Sequence, residues 1–203
     1  MTRVCRHAKV RSVFQVRIHG RGGQGVVTAA ELLALAAFLE DRHAQAFPSF
    51  GSERTGAPVV AFCRIDDREI RIREPIMAPD ALIVQDPTLL HQVDVFGGMK
   101  PGGAILINTG RGLADLGLAD FAGGFEVLTV PATELAREHV GRPMPNAALL
   151  GGFAALTGVV SLESLMTAIA ARFPQAVARG NVAAAAAAHA HVQRELEGSR
   201  DAA

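Results

Sequence analysis

Gly20-Arg21-Gly22-Gly23-Gln24-Gly25 packs four glycines, one guanidinium and one carboxamide into six residues. Glycine tolerates positive φ and has no side chain to keep a ligand off the backbone, so such a run exposes its amide N–H groups. It follows the alternating stretch Phe14–His19 and opens an apolar-rich run from Gln24 to Glu40, a pattern that predicts strand, turn and helix. Amides that open onto the positive end of a helix dipole attract anions, and the matching ligand class is a phosphate-bearing, nucleotide-like molecule. Arg21 is the natural charge-assisted donor to that phosphate, with a solvated loop arginine as the plain alternative. Gln24 can donate or accept at the helix entrance. Thr28, one turn further on, can reach a phosphate, although a bond to its own helix backbone suits it better.

Other candidate groups lie further along the chain. The loop Gly51–Pro58 holds the adjoining pair Glu53 and Arg54, which reads as contact with a ligand or partner chain, against a weak surface ion pair. Asp86-Pro87-Thr88 follows a strand at the expected carboxyl edge of the sheet, where Asp86 suits helix capping better than ligand contact. Asn108 shares that ambiguity, and Asn146 reads as a helix cap. No catalytic residue and no metal ligand is assigned. The chain has no CxxC pair and no Gly-x-Ser-x-Gly elbow, and His189 and His191 stand two apart, on different sides of a helix.

The elements that would position these groups alternate. Strands are expected at Phe14–His19, His43–Phe47, Ala81–Gln85, Ala104–Ile107 and Glu126–Val130. Val59–Ile65 and Glu69–Ile72, flanking Asp66-Asp67-Arg68, read as a β-hairpin that makes the sheet mixed. Helices are expected at Gln24–Glu40, near Thr88–Gln92 and at Pro131–Val140. Three more follow, from Asn146, from Ser161, and from Pro174 through the alanine run Ala183–Ala188. The alanine run is explained by helix propensity alone. The fold class is thus α/β: three-layer α/β/α, Rossmann-like, with a mixed sheet including a β-hairpin and a helical C-terminal third. A single domain should span residues 14–198, behind a loose basic arm at 1–13.

Composition narrows the function classes. With 203 residues and 49% hydrophobic content, the chain can bury one good core. The net charge of zero suggests no nucleic-acid groove, although the first twelve residues carry +4 and the remainder −4. No secretory signal or membrane-length apolar run is evident, so a cytoplasmic location is expected. Cys5 and Cys63 imply no disulfide framework and no iron–sulfur cluster held by this chain alone.

Gly20-x-Gly22-x-x-Gly25 also satisfies the dinucleotide fingerprint, which wants an acid about 20 residues on at the end of the second strand. Here Glu40 and Asp41 fall before that strand, which ends in Phe47-Pro48, so a nicotinamide cofactor lacks its ribose anchor. Three ordered blocks carry a longer resemblance: Gly20–Ala30, Gln45–Pro58 and Val84–Leu90. Over about Phe14–Ala190 the chain resembles the gamma subunits of 2-oxoacid:ferredoxin oxidoreductases, most closely the pyruvate (pyruvate synthase) branch. The resemblance implies thiamine diphosphate, magnesium and iron–sulfur clusters on partner subunits. It implies coenzyme A at the glycine-rich block, with Gly20, Gly22, Gly23, Gln24 and Gly25 cradling its phosphates. It also implies alpha, beta and possibly delta subunits as partners, with ferredoxin as the electron acceptor of the complex. A free-standing NAD-type dehydrogenase and a purely scaffolding subunit are the alternatives.

Overall fold

A computed structural model describes residues 13–49, 55–119 and 124–201, with side chains to Ser199. Residues 1–12 of the basic arm, Glu53 and Arg54 lie outside the described residues. Six strands form one mixed sheet: β1 (Phe14–Arg21), β2 (His43–Pro48), β3 (Pro58–Asp66), β4 (Ala81–Val84), β5 (Ala104–Asn108) and β6 (Glu126–Val130), in the order β2-β3-β1-β4-β5-β6. β4, β5 and β6 run parallel to β1, while β3 is antiparallel to both β1 and β2.

The helices are α1 (Val26–Phe38), α2 (Ala132–Val140), α3 (Asn146–Thr157), α4 (Leu162–Arg172) and α5 (Gln175–Asp201). All five contribute buried side chains to one core with Val16, Ile18, Ile83 and Leu106 of the sheet. Leu82, Val84, Ile105 and Ile107 point to the other face. That face is covered by irregular chain and by the 3-10 turns Pro87–His91 and Ala114–Leu116, so the third layer is thin. The period-2 alternation of β1 thus sorts Val16 and Ile18 from Arg17 and His19.

The expected partner of Val59–Ile65 is corrected. Residues 69–72 form no strand, because both edges of β3 are already occupied, by β1 on one side and β2 on the other. The antiparallel pair consecutive in sequence is β2–β3. The segment after β3 is instead held by the buried Arg64, which donates to the carbonyls of Ile72 and Glu74 and to Gln15 and Gln45, and stacks 5.1 Å over the Phe47 ring. The expected helix at Thr88–Gln92 is a 3-10 turn capped by Asp86. Ser161 caps α4 through its hydroxyl, 3.1 Å from the Ser164 amide, as its position predicts.

The alanine run packs rather than merely favouring helix. Ala184, Ala185 and Ala188 are buried against α3, where a Cβ on Gly151 would stand 2.0 Å from the Ala185 carbonyl oxygen. Small residues on both helices let α3 and α5 approach backbone to backbone.

Candidate functional site

From β1 the chain passes through α1 to β2 and β3 on one side, then returns to β4 on the other side of β1. The carboxyl ends of β1 and β4 therefore flank the switch point, the crevice where ligands of open α/β sheets gather. Gly20–Gly25 and Gln85–Thr88 meet there.

Local sterics explain the glycines. A Cβ on Gly20 would lie 2.6 Å from Val26 Cγ2, so glycine lets the start of α1 fold back onto the strand end. Gly25, at φ +74°, is the N-cap of α1, and its Cβ would stand 2.7 Å from Asn146 Nδ2. Gly23, at φ +93°, has nothing within 4 Å of its Cβ position.

Three amides of the turn are spent within the fold. The Arg21 N–H donates to Gln24 Oε1 at 2.8 Å, Gly22 N–H to the Ala57 carbonyl at 2.9 Å, and Gln24 N–H to the Arg21 carbonyl at 3.0 Å. The first bond closing α1 runs from Ala29 to Gly25, and no side chain caps the helix. Among the described residues, the N–H groups of Gly23, Gly25, Val26, Val27 and Thr28 have no acceptor. They border a cavity of about 310 Å³ walled by Arg21, Gly22, Val59 and Met144. Open amides on a 13-residue helix, whose dipole adds partial positive charge, make a donor-rich recess.

Arg21 lines this recess, but its donors are engaged. Nε bonds Asp86 Oδ2 at 3.0 Å, Nη1 the Gly56 carbonyl at 3.0 Å, and Nη2 both Thr88 Oγ1 and Gln92 Oε1 at 2.7 Å. Gln24 adds its Nε2 to Asp86 Oδ2 at 2.9 Å. Burial pushes the Asp86 carboxyl up, but hydrogen bonds from Thr88 and Gln24 and the Arg21 charge outweigh it and hold the group below its usual range. Arg21 is thus a strut tying the turn to Gly56 and to the 3-10 turn. The Thr28 hydroxyl makes no bond to its own helix backbone. Of the nine residues expected in the site, Gly20 to Gly25 and Thr28 come together.

Three carboxamides stand on the helix side of the carboxyl edge, of which sequence reasoning weighed Asn108 and Asn146 and passed over Gln85. Asn108 donates to the Gln85 carbonyl and to Thr133 Oγ1, both at 2.8 Å, and accepts from the Thr133 amide, so it caps α2 from a neighbouring strand. Asn146 is not the cap of α3: it is the first helical residue, behind Pro145, with Oδ1 accepting from the Ala147 amide. Gln85 is 1% exposed, and neither polar atom of its side chain has a partner. Its signal in the sequence is a polar residue ending an otherwise apolar strand.

On the opposite face of β1, burial foremost and then the neighbouring Arg17 charge lower the His19 pKa to about 4, against an opposing pull from Asp94. Arg17 donates to the carbonyls of Val95 and Gly97. Cys63 is buried, and burial pushes its thiol up to about 12, which leaves it unreactive. Among the described residues, no group of three or more His, Cys, Asp or Glu could hold a metal ion, and no helix is long and apolar enough to cross a membrane.

These features define an α/β domain with a mixed sheet and a glycine-rich strand–turn–helix at its switch point. The chain belongs to the pyruvate ferredoxin/flavodoxin oxidoreductase family, whose model matches residues 15–191. It is 47% identical over 177 residues to pyruvate synthase subunit PorC of Methanocaldococcus jannaschii, covering 87% of this chain and 96% of that one. It is 47% identical over 173 residues to the common gamma subunit of the pyruvate/ketoisovalerate oxidoreductases of Thermococcus kodakarensis, covering 85% and 94%. The crystal structure of pyruvate oxidoreductase subunit PORC from Thermotoga maritima superposes with a TM-score of 0.75 at 34% identity, over 89% of this chain and 97% of that one. The resemblance to gamma subunits seen in the three sequence blocks therefore extends along the chain.

Proposed function

We propose that this chain is the gamma subunit of a thiamine-diphosphate and iron–sulfur 2-oxoacid:ferredoxin oxidoreductase, with pyruvate as the 2-oxo acid. In that complex it binds the phosphate end of coenzyme A and joins alpha, beta and possibly delta subunits. The observation that carries the reading is the set of open amides at Gly23 and Gly25–Thr28, facing a recess at the switch point. The donors suit the diphosphate, and Val27, Val59 and Met144 offer apolar wall to the rest of the molecule. When bound, coenzyme A supplies the thiol that accepts the acyl group, while decarboxylation and electron transfer belong to the partner chains. This chain's contribution is orientation: Arg21 and Gln24 fix the turn against Asp86, and the turn fixes the carrier. No residue here is assigned to bond-making.

Gly23→Asp in the complex purified from its native cell is the test. The Cβ of residue 23 enters open space, but φ of +93° strains any L side chain there, so Gly23→Ala, with the same strain and no charge, is the control against which Gly23→Asp is read. KM for coenzyme A should rise about tenfold or more while kcat at saturating coenzyme A persists. An unchanged KM would leave the turn as packing and the subunit as scaffold.

A further inference from the structure

The strand pattern after β3 has no partner within this chain. Glu69-Ile70-Arg71-Ile72-Arg73 alternates charged and apolar residues, yet β3 is already paired on both edges. The fold instead holds this segment from one side. The guanidinium of the buried Arg64 donates to the carbonyls of Ile72 and Glu74. In a segment that is not helical, two carbonyls two residues apart that turn to one group mark extended chain. A residue's N–H and C=O then share an edge, and the edges alternate along the chain. The main-chain groups of Arg71 and Arg73 therefore face the edge away from Arg64. The N–H groups of Glu69 to Glu74 have no acceptor among the described residues. Ile72 and Met77 are large apolar side chains that stay exposed.

We propose that Glu69–Arg73 is a docking strand: along the edge that Arg64 leaves open, it pairs with an edge strand of another subunit of the oxidoreductase. Main-chain pairing supplies the attachment, and the side chains set the chemistry of the partner. Ile70 and Ile72 match apolar residues, and Arg71 and Arg73 match acidic ones. Arg73 makes no ion pair among the described residues, and Arg71 meets Glu69 in an exposed pair of little strength. A second copy of this chain is a poor match. An antiparallel self-pair centred on Ile72 sets Arg71 opposite Arg73, and like charges directly opposite repel. The inference rests on the reading of this chain as one subunit of a larger complex, and is independent of coenzyme A.

Amide hydrogen exchange on the complex purified from its native cell, resolved residue by residue, is the test. The Arg71 and Arg73 amides should exchange about a hundredfold or more slower than unstructured chain, while those of Ile70 and Ile72 stay fast. Free exchange at all four, or protection without that alternation, would overturn the proposal. Arg71→Glu with Arg73→Glu should weaken the hold on the partner chains about tenfold, read as dissociation on dilution. Arg71→Lys with Arg73→Lys should stay near wild type. Both positions are exposed, so the fold persists in these variants. Arg71→Glu alone should also weaken the complex; tighter association of this chain with itself would make a second copy the partner and refute the assignment. If the chain is recovered with its partner subunits but these amides exchange freely, the docking strand falls and the gamma-subunit reading stands. Recovery without any partner chain overturns both.

Discussion

Lowering the pH should destabilise this fold through one buried imidazole. His19 is 6% exposed on β1, and burial together with the Arg17 charge takes its pKa from 6.5 to about 4. Above pH 6.5 the ring is neutral in folded and unfolded chains alike, so it adds no pH dependence. Between 6.5 and 4 the unfolded chain takes up the proton and the folded one refuses it, so stability falls with pH. Each unit is worth about 1.36 kcal/mol, for a loss of about 3 kcal/mol by pH 4, below which the curve flattens. His19→Leu removes the titration. Urea unfolding at pH 7 and pH 5 should show wild type losing about 2 kcal/mol more than the variant across that interval. His189, whose pKa is also lowered by burial, is common to both proteins and cancels in the difference. Asp86 and Glu40, held below the ordinary carboxylate range, are common to both proteins and cancel likewise. Equal losses in the two proteins would refute the assignment of a neutral, buried His19.

Two further substitutions test the packing around the site and the core. Arg21→Lys loses the fork that reaches Asp86, Gly56, Thr88 and Gln92 together. Urea titration should show a loss of about 1–3 kcal/mol, and KM for coenzyme A should rise as the turn loosens; an unchanged denaturation midpoint would remove Arg21 as a strut. Gly151→Ala sets a methyl 2.0 Å from the Ala185 carbonyl oxygen, a backbone atom that gives way only if α3 and α5 separate. The expected cost is about 3 kcal/mol, read as a fall in Tm, and a tolerated substitution would show the helices to be less closely packed.

Much of the architecture was legible because its signals are contiguous. The alternation of Phe14–His19, the glycines that follow and the serine before α4 act within one turn or one strand, so residue types alone report them. The apolar strands β4 and β5 were readable for the same reason, being runs buried on both faces, while β6, at the sheet edge, is only partly buried. The hairpin at residues 59–72 was misread because a strand pattern carries no information about which edges are free. Asn146 was misread because position beside a helix start suits a cap, and nothing nearby in sequence announces Gly25, 121 residues earlier in the chain's numbering.

By itself the sequence determined that a strand, a bare turn and a helix would meet in an α/β sheet, since bare backbone and hydrophobic period are local properties of the chain. The tertiary structure decided what the polar groups at that turn do. Arg21 finds Asp86 across 65 residues and is withdrawn from free anion binding, while Gly22 spends its amide on Ala57. The amides left over are those whose would-be partners lie beyond a helix's own start, and only the folding of distant segments around them settles which stay open.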